Sequence, residues 1–533
     1  MAAQAATPEA ASEHLAAGRL AEAEAAARAI LQADPRQPEA LHVLGVVATA
    51  TGHGDQGADL IQRALAERGN EPTYHFSLGN ALRATNQPEA ARASFERAVR
   101  LKPDFVEAQF NLALTLEALG LPQEAEQAYL RVADRAPGLF QAQVNLGNLY
   151  QKLYRYEAAV EAYGRALAIK PDLAEARSNL GNALMALGRS EEALAALREA
   201  VARRPDFAMG HFNLGVALQR QEHLEPAIAA YRQALSLDGG QVEALYNLGT
   251  ALRALRRLEK AEQALRQAVG RDPDHAQAHA HLAGVLLEQG DGAAALALCD
   301  DFLSRHPGNC SLLCLKALVQ VEVGQNAVRA ELLDMDRLVR PTRLAQVPGY
   351  DTVADFNRAL AEHVLAHPTL AYAPPDNATR KGWHSGALSE GPVADLAAQI
   401  ETAAQAYRAA LPAEPGHPFL GHLPARWRLT IWSVVLEAEG HQLPHIHPTA
   451  WLSGVYYAEV PEVVGREAER QAGWIEFGRP GPPHRTTVLP PLKTVQPEEG
   501  LMVLFPSYLY HRTIPFEGDG RRISVAFDLI PEG

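Results

Sequence analysis

The chain has 533 residues, too many for one compact core, so two or more domains are expected. Its formal charge of −14, from 63 acidic and 49 basic side chains, argues against a nucleic-acid binder. It has no run of about eighteen apolar residues, and its start, "MAAQAATPEAASEH", has no basic end leading into an apolar stretch. The reading is a soluble, non-secreted, cytoplasmic protein with no membrane partner. The three cysteines suit a reducing compartment. Cys310 and Cys314 sit one helical turn apart with no further Cys or His at zinc spacing, so they read as small buried apolar side chains.

From the N-terminal end, a repeat dominates. Pro103, Pro137, Pro171, Pro205, Pro273 and Pro307 lie on one 34-residue register, and Gly239 takes the vacant slot. The same register carries "NLG" at 145, 179, 213 and 247, with variants at 77, 111 and 281. Each unit reads as two amphipathic helices and a closing turn. In the unit 140–173, Leu146, Gly147 and Tyr150 mark the first helix, Ala159, Tyr163 and Ala166 the second, and Pro171 ends it. Two helices approach closely only where Gly or Ala faces the partner. One such unit cannot bury its apolar face, so neighbours stack into a solenoid with a concave surface. The units near 7–37 and 38–71 are weaker and look like one capping end; "CSLLCLKALVQVEVG" closes the other.

This pattern resembles the tetratricopeptide repeat family over roughly residues 5–335. In that family the position of Asn111, Asn145, Asn179, Asn213 and Asn247 points into the groove. The resemblance therefore implies that these five bind a peptide main chain, as in O-linked N-acetylglucosamine transferase. Side-chain amides offer both a donor and an acceptor to a peptide unit. The alternative is that they bond between adjacent repeats.

After residue 335 the register is lost. "RLVRPTRLAQVPGY" reads as a linker; 351–367 and 392–411 read as two helices with apolar stripes. From about 424 the pattern turns to strands: "RLTIWSVVLEA", "WLSGVYYAEV", "GWIEFG", "GLMVLFPSYLYH" and "RRISVAFDLI". Short strands between Gly and Pro turns suggest a sandwich or jelly roll. In an extended segment i and i+2 share a face, which pairs His445 with His447 and gives His441 the same parity. In the last strand Ile523, Val525, Phe527 and Leu529 take one face, while Arg522, Ser524 and Ala526 take the other; Arg521 is on the wrong face to join them. Two His, the distant His511 and an Arg–Ser pair can thus converge inside a small barrel. Prolines 444 and 448 shorten any strand that holds the His pair. His417, His422, Trp451 and Trp474 read as structural.

The strings "HIHP", "WLSGVYYAEV", "IEFGRPG", "EGLMVLFPSYLYHRTIPF" and "RRISVAFD" resemble a bacterial subfamily of Fe(II)/2-oxoglutarate oxygenases. The resemblance implies a multidomain chain: an all-α repeat solenoid, then an α+β domain with a double-stranded β-helix (jelly-roll) core. The boundaries are 1–335 for the superhelix (about nine repeats plus a capping helix), 336–375 for linker and helix, and 376–533 for the oxygenase domain. It also implies His445, His447 and His511 as ligands of Fe(II), and Arg522 as anchor of the far carboxylate of 2-oxoglutarate. Ser524 and Tyr457 would assist Arg522, and dioxygen is the third reactant. Most of the wider oxygenase superfamily has a carboxylate where His447 stands, so a cupin-like site for another metal is the alternative. The resemblance is compatible with two function classes. One is an oxygenase hydroxylating a protein or peptide held in the repeat groove. The other is a repeat scaffold with a non-catalytic or sensing cupin-like domain; a small-molecule oxygenase whose repeats merely localise it is a lesser variant of the first. The residues leave the oligomeric state open.

Overall fold

The computed structural model describes residues 7–324, 331–372, 378–411, 413–466, 470–481, 484 and 486–532. It divides into two compact units, Met1–Gly239 and Gly240–Gly533. Among the described residues, the first unit holds seven helix pairs, from α1 (Pro8–Ala16) to α14 (Leu224–Leu237). The second holds α15 (Val242–Ala254) to α19 (Cys310–Glu322), followed by two sheets and their covering helices. The all-helical solenoid followed by an antiparallel-sheet domain agrees with the expectation from sequence. No described helix is long and apolar enough to cross a membrane.

Pairing within most repeats places a glycine of the first helix against a large side chain of the second. A Cβ at Gly147 in α9 (Phe140–Lys152) would lie 2.5 Å from the ring of Tyr163 in α10 (Tyr156–Ile169). Gly79 stands likewise against Phe95, Gly181 against Leu197 and Gly215 against Tyr231. The Tyr163 ring is fully buried, and its hydroxyl donates to Asn148 at 2.7 Å, so it has little freedom to retreat. Gly147→Ala gains roughly 1 kcal/mol of helix propensity, but forcing a methyl into a packed core costs about 1–3 kcal/mol. With the contact this short, the upper part of that range applies. The expected result is a net loss of about 1–2 kcal/mol, read as a lower urea midpoint. An unchanged or raised midpoint would show that the ring can move aside.

In the second unit the larger sheet runs β1-β8-β5-β10-β4-β3-β2 and the smaller β7-β6-β9, with all pairs antiparallel. The strands are β1 (Arg340–Arg343), β2 (Ala371–Tyr372), β3 (Thr379–His384), β4 (Trp427–Gln442) and β5 (Leu452–Glu459). They continue with β6 (Ile475–Phe477), β7 (Lys493–Val495), β8 (Leu501–Pro506), β9 (His511–Thr513) and β10 (Arg522–Pro531). Every residue of β8 is buried, as expected of a continuous apolar run covered on both faces. The stretch expected to be a linker contains β1, which pairs with β8 along Arg340–Arg343. Its exposed Arg-Pro-Thr-Arg composition carries no alternation, because an edge strand needs only a neighbour's backbone. Strands β2, β3 and β7 carry no such pattern in the sequence either.

The two helices expected from their apolar stripes are present as Val353–Ala366 and Pro392–Ala410. The first packs Phe356 against Tyr456 of β5, and Tyr456 donates to Asn357. From the second, Glu401 accepts from the Trp427 indole at 2.9 Å. The end of the solenoid is built into the same unit. Tyr508 donates to the Leu332 carbonyl at 2.9 Å, Tyr407 to that of Leu338 at 2.8 Å, and the Thr487 amide to the Glu322 carboxylate at 2.9 Å. The three cysteines are unpaired and buried, and burial pushes the Cys299 and Cys310 thiols up to about 12.

Candidate metal and co-substrate site

The "HIHP" stretch lies beyond the end of β4 and forms no named strand. Its place is set by backbone bonds to distant segments. His445 and His511 exchange both amide–carbonyl bonds at 3.1 Å, an isolated bridge that puts two of the histidines side by side. The His447 amide donates to the Ser507 carbonyl at 3.0 Å. The three rings converge, with centroids 4.3 Å (His445–His511), 5.0 Å (His447–His511) and 5.2 Å (His445–His447) apart. One nitrogen from each lies within 4.8 Å of the others. His441 stays outside. It is the last residue but one of β4, opposite Arg380, and its Nδ1 bonds the Glu439 carbonyl, with a bend at Pro444 between it and His445.

Each Nδ1 has an acceptor: Leu443 carbonyl for His445 (2.7 Å), Leu509 carbonyl for His511 (3.1 Å) and an Asp528 carboxylate oxygen for His447 (2.8 Å). A proton held on Nδ1 leaves the Nε2 lone pair free, and the buried Nε2 of His447 has no hydrogen-bond partner. Burial, with the neighbouring imidazoles, lowers His445 to about 4 and His511 well below its ordinary value. For His445 and His511 this favours neutral imidazole, the ligand form. A divalent ion takes such nitrogens at about 2.1 Å, so small ring rotations would close the three on one ion.

The cavity beside them, about 350 Å³, is lined by both sheets. Strand β10 alternates as expected: Arg522, Ser524, Ala526 and Asp528 face the cavity, whereas Ile523, Val525, Phe527 and Leu529 are fully buried elsewhere. Arg521 faces away and pairs with Glu459 at 3.0 Å. Tyr456 and Tyr457 divide in the same way, the first toward the helix and the second into the cavity.

Arg522 is 2 % exposed, yet its acceptors are neutral: the Gly473 carbonyl at 2.7 Å and the Thr513 hydroxyl at 2.9 Å. Among the described residues no carboxylate pairs with it, and its Nε–H has no acceptor. The Tyr457 ring stands 5.5 Å from the guanidinium. Its hydroxyl is buried, unpartnered and pushed up to about 12 by burial, so it is a neutral donor. Ser524 donates to the Val434 carbonyl at 3.2 Å, leaving its lone pairs rather than its proton to the cavity. A buried guanidinium without an anion is costly, and a ligand carboxylate is the group this pocket lacks. The residues thus fit both a three-nitrogen metal and a 2-oxo acid with a distal carboxylate. Asp528 was missed from the sequence, although the alternation through 522, 524 and 526 continues to it.

The five asparagines are half-buried on the first helices of their repeats. Several direct their donors within the solenoid: Asn111 to Asn80 (3.4 Å), Asn179 to Asn148 (3.1 Å) and Asn213 to Ser178 (2.9 Å), each in the preceding repeat. Asn247, in the second unit, donates to its own helix at Glu243. Asn145 lines an open depression of about 690 Å³ with Glu117, Asn148, Gln151 and Lys152.

Comparison with known proteins agrees with both halves. Residues 430–528 match the family described as "Putative 2OG-Fe(II) oxygenase". Tetratricopeptide repeat families match 14–79, 76–139, 147–188, 178–242, 212–274 and 246–309. No curated protein sequence matches. Similar solved structures include a chain of the APC/C Cut9–Hcn1 hetero-tetramer (19 % identity, 52 % of this chain, TM-score 0.36). This chain covers 54 % of that one, about half its length. YrrB, titled a TPR protein with an unusual peptide-binding site, is 22 % identical over 42 % of this chain and 96 % of its own, with a TM-score of 0.25. PilF of Pseudomonas aeruginosa is 16 % identical over 39 % and 94 %, with a TM-score of 0.35.

Proposed function

From a chain that joins tetratricopeptide repeats to a 2OG-Fe(II) oxygenase domain, we propose an Fe(II)- and 2-oxoglutarate-dependent hydroxylase acting on a protein or peptide in the cytoplasm. The observation that carries it is the buried, anion-free Arg522 beside three histidines whose ring nitrogens converge. His445, His447 and His511 hold the metal. Arg522 grips the distal carboxylate through its planar fork, Tyr457 adds a donor and Ser524 shapes the wall. When bound, iron and 2-oxoglutarate supply the oxidation: dioxygen gives one atom to succinate as carbon dioxide leaves, and the other to a substrate C–H bond. The enclosing sheets keep water from the reacting centre.

The repeats supply the choice of substrate, because a groove on the same chain raises the local concentration of whatever it binds. Anaerobic loading with Fe(II), then exposure to 2-oxoglutarate, air and lysate peptides, should yield succinate and a product heavier by one oxygen atom. No succinate above background, with or without peptide, and no oxidised product would favour the sensing scaffold instead. Asn145, Asn179 and Asn213 changed together to Ala should lower substrate turnover while uncoupled 2-oxoglutarate decarboxylation persists. Each lost amide bond also costs roughly 0.5–1.5 kcal/mol of repeat stability, so the comparison is made well below the melting midpoint. Unimpaired turnover would remove the groove from substrate binding.

A further inference from the structure

Three neutral imidazoles leave a bound divalent ion with its full charge. A site with two histidines and a carboxylate would reduce that charge by one. A buried, uncompensated dication is unfavourable. Asp528 is the one acidic side chain among the described residues lining the cavity. Its carboxylate lies 2.8 Å from Nδ1 of His447, one of the three converging histidines. The β10–β5 register sets Asp528 opposite Ser453, whose hydroxyl bonds the same carboxylate at 2.6 Å. Ser453 and Ser507 share a hydroxyl contact of 2.7 Å, and the Ser507 carbonyl accepts the His447 amide. The network returns to its start: the His447 ring bonds the carboxylate directly, and its backbone is tied to the same carboxylate through Ser507 and Ser453.

We infer that Asp528 is a positioning residue that supplies the missing carboxylate charge one hydrogen bond behind the metal. By polarising the His447 imidazole it makes that ring a more anionic ligand. The inference rests on the metal-site reading above and adds to it a source of charge and a reason that His447 can replace a carboxylate.

Anaerobic Fe(II) titration against a chromophoric chelator tests it, with Co(II) absorption as a second reading of the ligand set. Asp528→Asn keeps shape and loses charge; it should bind Fe(II) about 10–100-fold more weakly, the usual effect of removing such a partner. Ser453→Ala keeps the charge and should stay within about threefold of the wild type, well under that range. His447→Asp should bind no more tightly than the wild type, since two carboxylates then face each other. Adding Asp528→Asn to it should recover about tenfold or more. Wild-type affinity in Asp528→Asn, or a loss in Ser453→Ala equal to that in Asp528→Asn, overturns the inference. So does His447→Asp binding about tenfold more tightly than the wild type, and that variant decides the matter even if Asp528→Asn fails to fold. Wild-type protein that binds no Fe(II) in the same titration removes the oxygenase reading itself, a different failure from equal binding by wild type and variant.

Discussion

His511→Ala is expected to form no succinate above background and to hold Fe(II) more than about a hundredfold less tightly than the wild type, beyond the upper end of what loss of an outer partner costs. His511 has the most central place in the triad. Its ring is 6 % exposed and lies nearer to His445 than His447 does. Its Nδ1 is held by the Leu509 carbonyl, which fixes both tautomer and aim. Its backbone also carries the bridge to His445, and this survives truncation of the side chain. Chelator competition should therefore report a lost ligand in a folded domain. An iron affinity within about tenfold of the wild type, roughly 1.4 kcal/mol, would show that the three nitrogens do not share an ion.

Arg522→Lys is expected to raise the 2-oxoglutarate requirement about 10–100-fold while Fe(II) binding is retained, and Arg522→Ala should raise it further. A hydrogen bond to a charged group contributes roughly 1.5–3 kcal/mol, and each 1.4 kcal/mol is about tenfold. Lysine keeps the charge but loses the fork, so one such bond is forfeited. Alanine forfeits both bonds and the charge, and leaves the Gly473 carbonyl and Thr513 hydroxyl without their donor. Isothermal titration with 2-oxoglutarate on the metal-loaded protein separates the steps. Unchanged succinate production by Arg522→Ala at low 2-oxoglutarate would take the anchor role away from this residue.

Local periodicity is the part of this protein that the sequence determined by itself. The 34-residue register exposes the helix pairs because each repeat must solve the same packing problem, a small residue against a large one, as at Gly147 and Tyr163. Alternation separated Arg522 from Arg521 because side chains on a strand change face at every residue. Alternation also made His445 and His447 a pair, and the ordered strings added His511.

Only the tertiary structure decided which distant groups meet. His447 and Asp528 are 81 residues apart, and no local pattern predicts that they meet or that the β5–β10 register seats Ser453 against the same carboxylate. The strand Arg340–Arg343 exists because β8 offers an unpaired backbone edge, which composition does not encode. The amides of Asn179 and Asn213 turn to the preceding repeat because an adjacent acceptor stands within 3.1 Å. The charge of the site was likewise hidden. Sequence offers three histidines as candidate ligands, and folding places a carboxylate behind one of them, because a site's electrostatic balance is a property of neighbours in space rather than along the chain.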